Sequence, residues 1–331
     1  YGERDVETGA VGIGGFFEAI KEGTVIRWAT QKIVDDDAVI TVYYQVPTDG
    51  ADILTPGEKY KIDPAKGATS ASRIDFISLM LSLFLGTAAL PHILIRYYTV
   101  PTPAYARKST IVAVAAIGLF YILTLFLGLG AMTHGVIDLT NSNMAAPLLA
   151  RAFGLGIFAL ICAIAFATIL GTVSGLIVAA SGAVAIDLIH RVMKINLSDH
   201  KMVLAGRITA VVVGIIAMAL GIAFKHMNVG FLVGWAFTIA ASANLPAIVM
   251  VLFWKRVTAK GVIASIMAGF FVSLIMIMLS PETFSQVYNL PASSAPLPIS
   301  QPAIFSVPIS FLVLIVVSLL TKKTEVSATQ A

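Results

Sequence analysis

Cysteine is almost absent. Cys162 is the single one among 331 residues, so neither an intrachain disulfide nor a multi-thiolate metal centre can be built. Charge is nearly as scarce: Asp, Glu, Lys and Arg make up 12% of the chain, against about 25% in ordinary soluble domains. That excludes a water-soluble globule. Catalytic signatures are missing too. There is no HExxH, nucleophile elbow, P-loop or intramembrane carboxylate pair, and the five histidines (His92, His134, His190, His200, His226) are scattered. An enzyme is the weakest reading the sequence leaves open. The glycines of GAVGIGG (Gly12, Gly14, Gly15) follow no strand and do not complete a dinucleotide fingerprint, so they read as a flexible turn.

What fills the chain is apolar: 58% of residues are hydrophobic and the mean hydropathy is +0.90. The few charges are split. Residues 1–72 carry seven basic and twelve acidic side chains, a net of −5, and residues 73–331 carry fifteen and six, a net of +9. The pI near 9.1 thus belongs to the apolar part, where it marks loops held at a membrane face and no nucleic-acid partner.

A bilayer-spanning helix needs about 20 mostly apolar residues. Seven windows qualify: 74–97, 109–133, 156–186, 203–224, 229–253, 262–280 and 303–321. A short separate helix over 144–152 is expected to lead into the third. Lys and Arg concentrate on alternate connections: Arg96, Arg107, Lys108, Arg191, Lys194, Lys201, Arg207, Lys255, Arg256, Lys260, Lys322 and Lys323 on one side, only Arg151 and Lys225 on the other. The positive-inside rule then puts the C-terminal tail, 322–331, in the cytoplasm and residues 1–72 outside. The chain opens on Tyr1, and residues 1–72 hold no signal-peptide core, so earlier transmembrane helices are expected to precede it. Within that acidic outer segment, residues 38–46 (AVITVYYQV) read as one strand. Asp35, Asp36 and Asp37 fit a solvated loop better than a cation site. Asn196-Leu197-Ser198 matches a glycosylation sequon but falls in a loop predicted to be cytoplasmic.

Polar and helix-breaking residues inside spans are costly, and so mark function. In the first span, GTAALPH (86–92) joins a permissive glycine to a proline that lacks a backbone donor and displaces the carbonyl four residues earlier. An interrupted helix with free backbone groups follows, tolerated only where protein or a cavity satisfies them. His92 adds a donor suited to a carboxylate; a plain proline kink is the competing reading. In the third span, Ala167, Gly171, Gly175 and Ala179 form a small-residue stripe. Thr168, Gly171 and Thr172 share one face beside it. Two hydroxyls there suit a hard cation, although both threonines can equally bond the preceding helical turn. In the fifth span, SANLP (242–246) reads as a second proline interruption carrying a buried amide, Asn244, and equally as a gate hinge or a structural kink.

These residues carry a resemblance. LFLGTAALPHILIRYYTV (83–100) is similar to the signature helix of the sodium:solute symporter family, in its cation/acetate (monocarboxylate) branch. SNMAAP (142–147), AFATILGTVSGL (165–176), VGWAFTIAASANLP (233–246) and FWKRVTAKG (253–261) agree in order, and the similarity covers about residues 73–321. It implies an all-α polytopic membrane protein with two inverted five-helix repeats, the LeuT-like fold. Residues 73–254 would be the second repeat, 255–321 two accessory helices, and the N-terminal helices of the first repeat would lie outside this chain. Substrate lining would come from Leu83, Gly86, Thr87, Pro91 and His92, with Asn244 near the cavity. The cation side would come from Thr168, Gly171 and Thr172, with Na+ at Thr168 and Thr172. Sodium-coupled members carry two adjacent hydroxyl residues where this chain has Gly171-Thr172, which leaves H+ open beside Na+. No other cofactor is implied.

Two functions follow. The first is a secondary active transporter, or its C-terminal half, in a bacterial plasma (inner) membrane, taking up a small monocarboxylate such as acetate, propionate or pyruvate with a coupling cation. The second is a non-transporting membrane scaffold or sensor subunit derived from a symporter.

Overall fold

The computed structural model describes residues 9, 11–35, 38–55, 62–64, 67–195, 198–225 and 227–321. Asp36 and Asp37 of the acidic run, two residues of the sequon, and Lys322 and Lys323 with the tail lie outside them. The described residues are mostly helical, and seven helices are long and apolar enough to cross a membrane: Ser70–Tyr97, Pro103–Thr133, Leu155–Ile189, Asp199–Ala223, Val229–Phe253, Ala259–Met278 and Ala303–Leu320. They coincide with the seven expected windows. The chain divides into two units, Tyr1–Ala68 with Ile111–Ile164, and Thr69–Thr110 with Ala165–Ala331.

The first unit holds more regular structure than its sequence suggested. Gly14 and Gly15 are not in a turn but inside helix α1 (Ile13–Glu22), with Gly12 as its N-cap. Phe16, Phe17 and Ile20 lie on one face of α1; both phenylalanine rings pack on Phe126 at 5.7 and 5.5 Å, and Ile20 is buried. That apolar docking outweighs the cost of about 1 kcal/mol for each helical glycine. The expected single strand is one arm of an antiparallel hairpin, β1 (Thr24–Asp35) with β2 (Ala38–Asp49), registered from Thr24↔Asp49 to Asp35↔Ala38. The hairpin is closed at its base by the Gly50 N–H on the Gly23 carbonyl at 2.8 Å, where the short helix α2 (Gly50–Ile53) begins. Farther on, α5 (Pro103–Thr133) supplies Phe126, and α6 (Ala145–Ala152) is the short helix expected before the third span. Gly154, at φ +115°, separates it from α7 (Leu155–Gly182) in a conformation that disfavours any side chain.

In the second unit the core is built on α9 (Val229–Phe253), whose residues Gly234, Trp235, Thr238, Ala241, Ser242 and Pro246 are buried. Helix α3 (Ser70–Thr87) packs on it, as do α10 (Ala259–Met278) and α12 (Ala303–Leu320); α8 (Asp199–Ala223) and the short α11 (Pro281–Gln286) also belong to the unit. Lipid gives helices no hydrophobic reason to associate, so small residues and hydroxyls must do it. Gly261, Ser265, Gly269 and Ser273 recur every fourth residue along the buried face of α10. Ser310 and Ser318 face them from α12, and Ser306 of the same helix faces α9. Ser265 and Ser310 exchange hydroxyl-to-carbonyl bonds at 3.1 and 2.9 Å, and the Ser242 and Ser306 hydroxyls meet at 2.6 Å.

The expected interruption of the fifth span is a correction. Helix α9 runs unbroken through Pro246. Proline leaves the Ser242 carbonyl without its helical donor, and Gly269 packs directly against that carbonyl, where a Cβ would collide with it. The neighbouring helix accommodates the defect, so no break is needed.

Candidate substrate and cation site

The first span is broken as expected. Helix α3 stops at Thr87, residues 88 and 89 turn, and Leu90 is extended (φ −72°, ψ 120°) before Pro91 opens α4 (Pro91–Leu94). A residue preceding proline is pushed out of the helical region, and proline is preferred at a first helical position, so the sequence dictates both the stop and the restart. A 3-10 turn, Ile95–Thr99, continues α4.

The break is held from α9. Ala89 is fully buried, and its carbonyl accepts a hydrogen bond from Asn244 Nδ2 at 3.1 Å. Such a carbonyl left bare in an apolar setting would be costly, and the amide removes that cost. Gly86 allows the approach: a Cβ there would lie 2.5 Å from the Phe237 carbonyl oxygen and 2.7 Å from Phe237 Cβ. Leu83 is half-buried and accepts the Thr87 hydroxyl on its carbonyl at 2.6 Å. Pro91 is exposed, and His92 is half-buried with its Nδ1 shielded and without a hydrogen-bond partner among the described residues. Leu83, Gly86, Thr87, Pro91, His92 and Asn244 are therefore grouped around one discontinuity.

The three residues expected on the cation side stand apart from that group. Thr168, Gly171 and Thr172 are exposed on α7; the Thr172 hydroxyl donates to the Thr168 carbonyl at 3.2 Å, and a Cβ added to Gly171 would meet open space. The bond to the preceding turn is the alternative the sequence left open. Among the described residues no three His, Cys, Asp or Glu side chains cluster as a metal site. Beyond Gly182, α7 continues as a π-helical stretch, Ala183–Val192.

One polar cluster escaped the sequence. Asp75 of α3 accepts the backbone N–H groups of Ser300 and Gln301 on a single oxygen, at 2.7 and 2.6 Å. A turn later Ser78 accepts the Ile304 N–H at 3.0 Å. Trp235 of α9 donates its indole N–H to the Ser300 carbonyl at 2.9 Å, and the buried Gln301 side chain lies over Gly234 with Oε1 3.4 Å from Thr238 Oγ1 and Nε2 without a partner among the described residues. The only signal was a lone carboxylate at the start of an apolar run. Its partners lie 225 and 226 residues away, beyond any local pattern.

Seven apolar helices, one of them discontinuous and pinned at its break by a neighbour's amide, define an integral polytopic membrane protein. Residues 20–269 match the sodium:solute symporter family, and the chain belongs to that family. It is 43% identical over 298 residues to a monocarboxylic acid transporter of Corynebacterium glutamicum, covering 87% of this chain and 52% of that protein. It is 42% identical over 271 residues to the uncharacterized symporter YwcA of Bacillus subtilis, covering 80% and 51%. The chain spans about half the length of these curated relatives.

Proposed function

We propose that this chain forms the C-terminal half of a secondary active transporter that takes up a small monocarboxylate, such as acetate, propionate or pyruvate, with a coupling cation. The observation that carries the reading is the break at residues 88–90, closed by Asn244 on the Ala89 carbonyl. Small residues, backbone and one imidazole line it, with Leu83, Gly86, Thr87, Pro91 and His92 toward substrate. A carboxylate there would meet the His92 ring and the backbone of the discontinuity, in the manner of half-helix sites. Thr168, Gly171 and Thr172 would face the coupling ion, Na+ or H+, once the first repeat, residing in the remaining length of the complete protein, lies opposite α7. Residues 73–254 form the second repeat, 255–321 the accessory helices, and residues 1–72 lie outside a bacterial plasma membrane with the C-terminus inside. Binding of solute and ion would shift the population between outward- and inward-facing states.

Proteoliposomes containing the complete protein test the reading. Labelled acetate, propionate and pyruvate are offered under an imposed sodium gradient or an imposed proton gradient. Uptake driven by one of them is expected, and uptake of none of the three under either gradient overturns the proposal.

A further inference from the structure

We propose that Asp75 is a positioning residue of the transport cycle. It joins the longer half of the broken helix, α3, to α12 as one rigid piece, and leaves the shorter half, α4 with Ile95–Thr99, as the part that moves. The inference rests on the transporter reading above.

Helix α12 makes no side-chain cap of its own, and Pro302, at its N-cap, has no N–H to offer. The segment leading into it is held by another helix: the N–H groups of Ser300 and Gln301, just before the N-cap, donate to Asp75, and that of Ile304 in the first turn donates to Ser78. A carboxyl oxygen beside a helix N-terminus meets the positive end of the helix dipole. Ser78 is fully buried, and Trp235 ties the same segment to α9 through the Ser300 carbonyl. Three helices are thus bonded at one point, and Gly86 fits α3 against α9 three turns farther along.

Beyond the break the character changes. Pro91, Ile95, Arg96, Tyr97 and Thr99 are exposed. An apolar groove of about 550 Å³ runs between Leu94 and Tyr97 on the shorter half and Ala247, Ile248, Val251 and Leu252 on α9. The pivot is the turn at residues 88–90, whose Ala89 carbonyl Asn244 holds in place. The longer half is packed on α9 and bonded to α12, whereas the shorter half is tied to α5 through the Tyr97 and Thr110 hydroxyls at 3.0 Å and has room to close against α9.

Spin-label pairs in the complete protein, reconstituted in nanodiscs on a Cys162→Ser background, test this. One pair sits at Ile77 and Leu312, the other at Ile95 and Leu252, all exposed positions. Distances are measured by pulsed electron resonance with and without sodium and propionate. The Ile95–Leu252 distance is expected to shift while the Ile77–Leu312 distance stays fixed. A comparable shift at Ile77–Leu312, or no shift at either pair, overturns the proposal. Uptake measured on the same labelled protein separates the two readings. A shift at Ile95–Leu252 without uptake sinks transport and leaves the rigid pairing standing.

Variants add a kinetic readout. Asp75→Ala is expected to broaden the Ile77–Leu312 distribution and lower kcat about tenfold, the scale of one lost helix cap, with KM nearly unchanged. Asp75→Asn keeps an oxygen in the accepting position and should recover most of the rate. A raised KM at constant kcat, or Asp75→Ala indistinguishable from wild type, contradicts a positioning role. Should Asp75→Ala fail to fold, the two label pairs with Asp75 intact still decide.

Discussion

Gly86 and Gly269 serve the same need at two places: each lets α9 come close enough for backbone to touch a neighbouring helix. Gly86 was legible because GTAALP announces a break. Gly269 was not, since its importance depends on the Ser242 carbonyl that Pro246 leaves bare, and no local pattern links residues 242, 246 and 269. Gly86→Val should cost about 1–3 kcal/mol, as overpacking does, and more than Gly86→Ala, whose single methyl meets the same Phe237 backbone with less bulk. Thermal unfolding of the detergent-solubilised protein compares the two; equal melting temperatures for both variants would contradict the packing described. Asn244 illustrates the same limit. Its type and its place in a span could be read, but its partner Ala89 lies 155 residues away. Asn244→Leu leaves a buried carbonyl unsatisfied, a loss of about 1–3 kcal/mol, and uptake should fall with it.

At the scale of elements, Pro91 and Pro246 have opposite consequences that sequence could not separate. Pro91 restarts a helix after an extended Leu90, whereas Pro246 sits inside a continuous one. The difference lies in the neighbours: Gly269 covers the carbonyl freed by Pro246, while the Ala89 carbonyl needs Asn244. Pro246→Ala should therefore keep uptake within about twofold of wild type, and Pro91→Ala, which lifts the restriction on Leu90, should reduce it more than about tenfold while helicity by circular dichroism is maintained. The first strand of the hairpin was missed for a different reason. Arg27, Gln31 and Lys32 interrupt the apolar alternation of TVIRWATQKIVD, and pairing with β2 supplies what propensity does not. In the connection after α5, Thr140 donates its N–H at 2.8 Å and its hydroxyl at 2.6 Å to Asp138, and these bonds hold the carboxyl below its ordinary value. A depressed carboxyl contributes order above its unfolded value and loses it as pH falls through the lowered one. Exchange of the Thr140 amide should stay slow from neutral pH down into the acid range and quicken only below the usual carboxylate range of about 4.

Over the whole molecule, what could be read from sequence was whatever depends on composition along the chain: seven spans, their lengths, and the uneven distribution of Lys and Arg. What could not be read needs an opposing surface. Thr168, Gly171 and Thr172 line up on α7, but a face becomes a cation site only when oxygens approach it from another helix, and spacing within α7 carries no record of that helix. Sidedness belongs to the readable kind, because each short connection contributes independently to the tally. In the proposed topology, twelve Lys and Arg on one set of connections against two on the other would put residues 1–72 and the connection between α11 and α12 on the same, outer side, since six spans separate them. On a Cys162→Ser background, Gln31→Cys and Ser294→Cys, both exposed positions, should react with a membrane-impermeant maleimide in intact cells. Lys255→Cys, between α9 and α10, should react only after the membrane is permeabilised. The reverse pattern would invert the orientation and place the hairpin in the cytoplasm. Reaction of Gln31→Cys but not Ser294→Cys would mean that one of the intervening helices fails to span, and would remove the parity on which the topology rests.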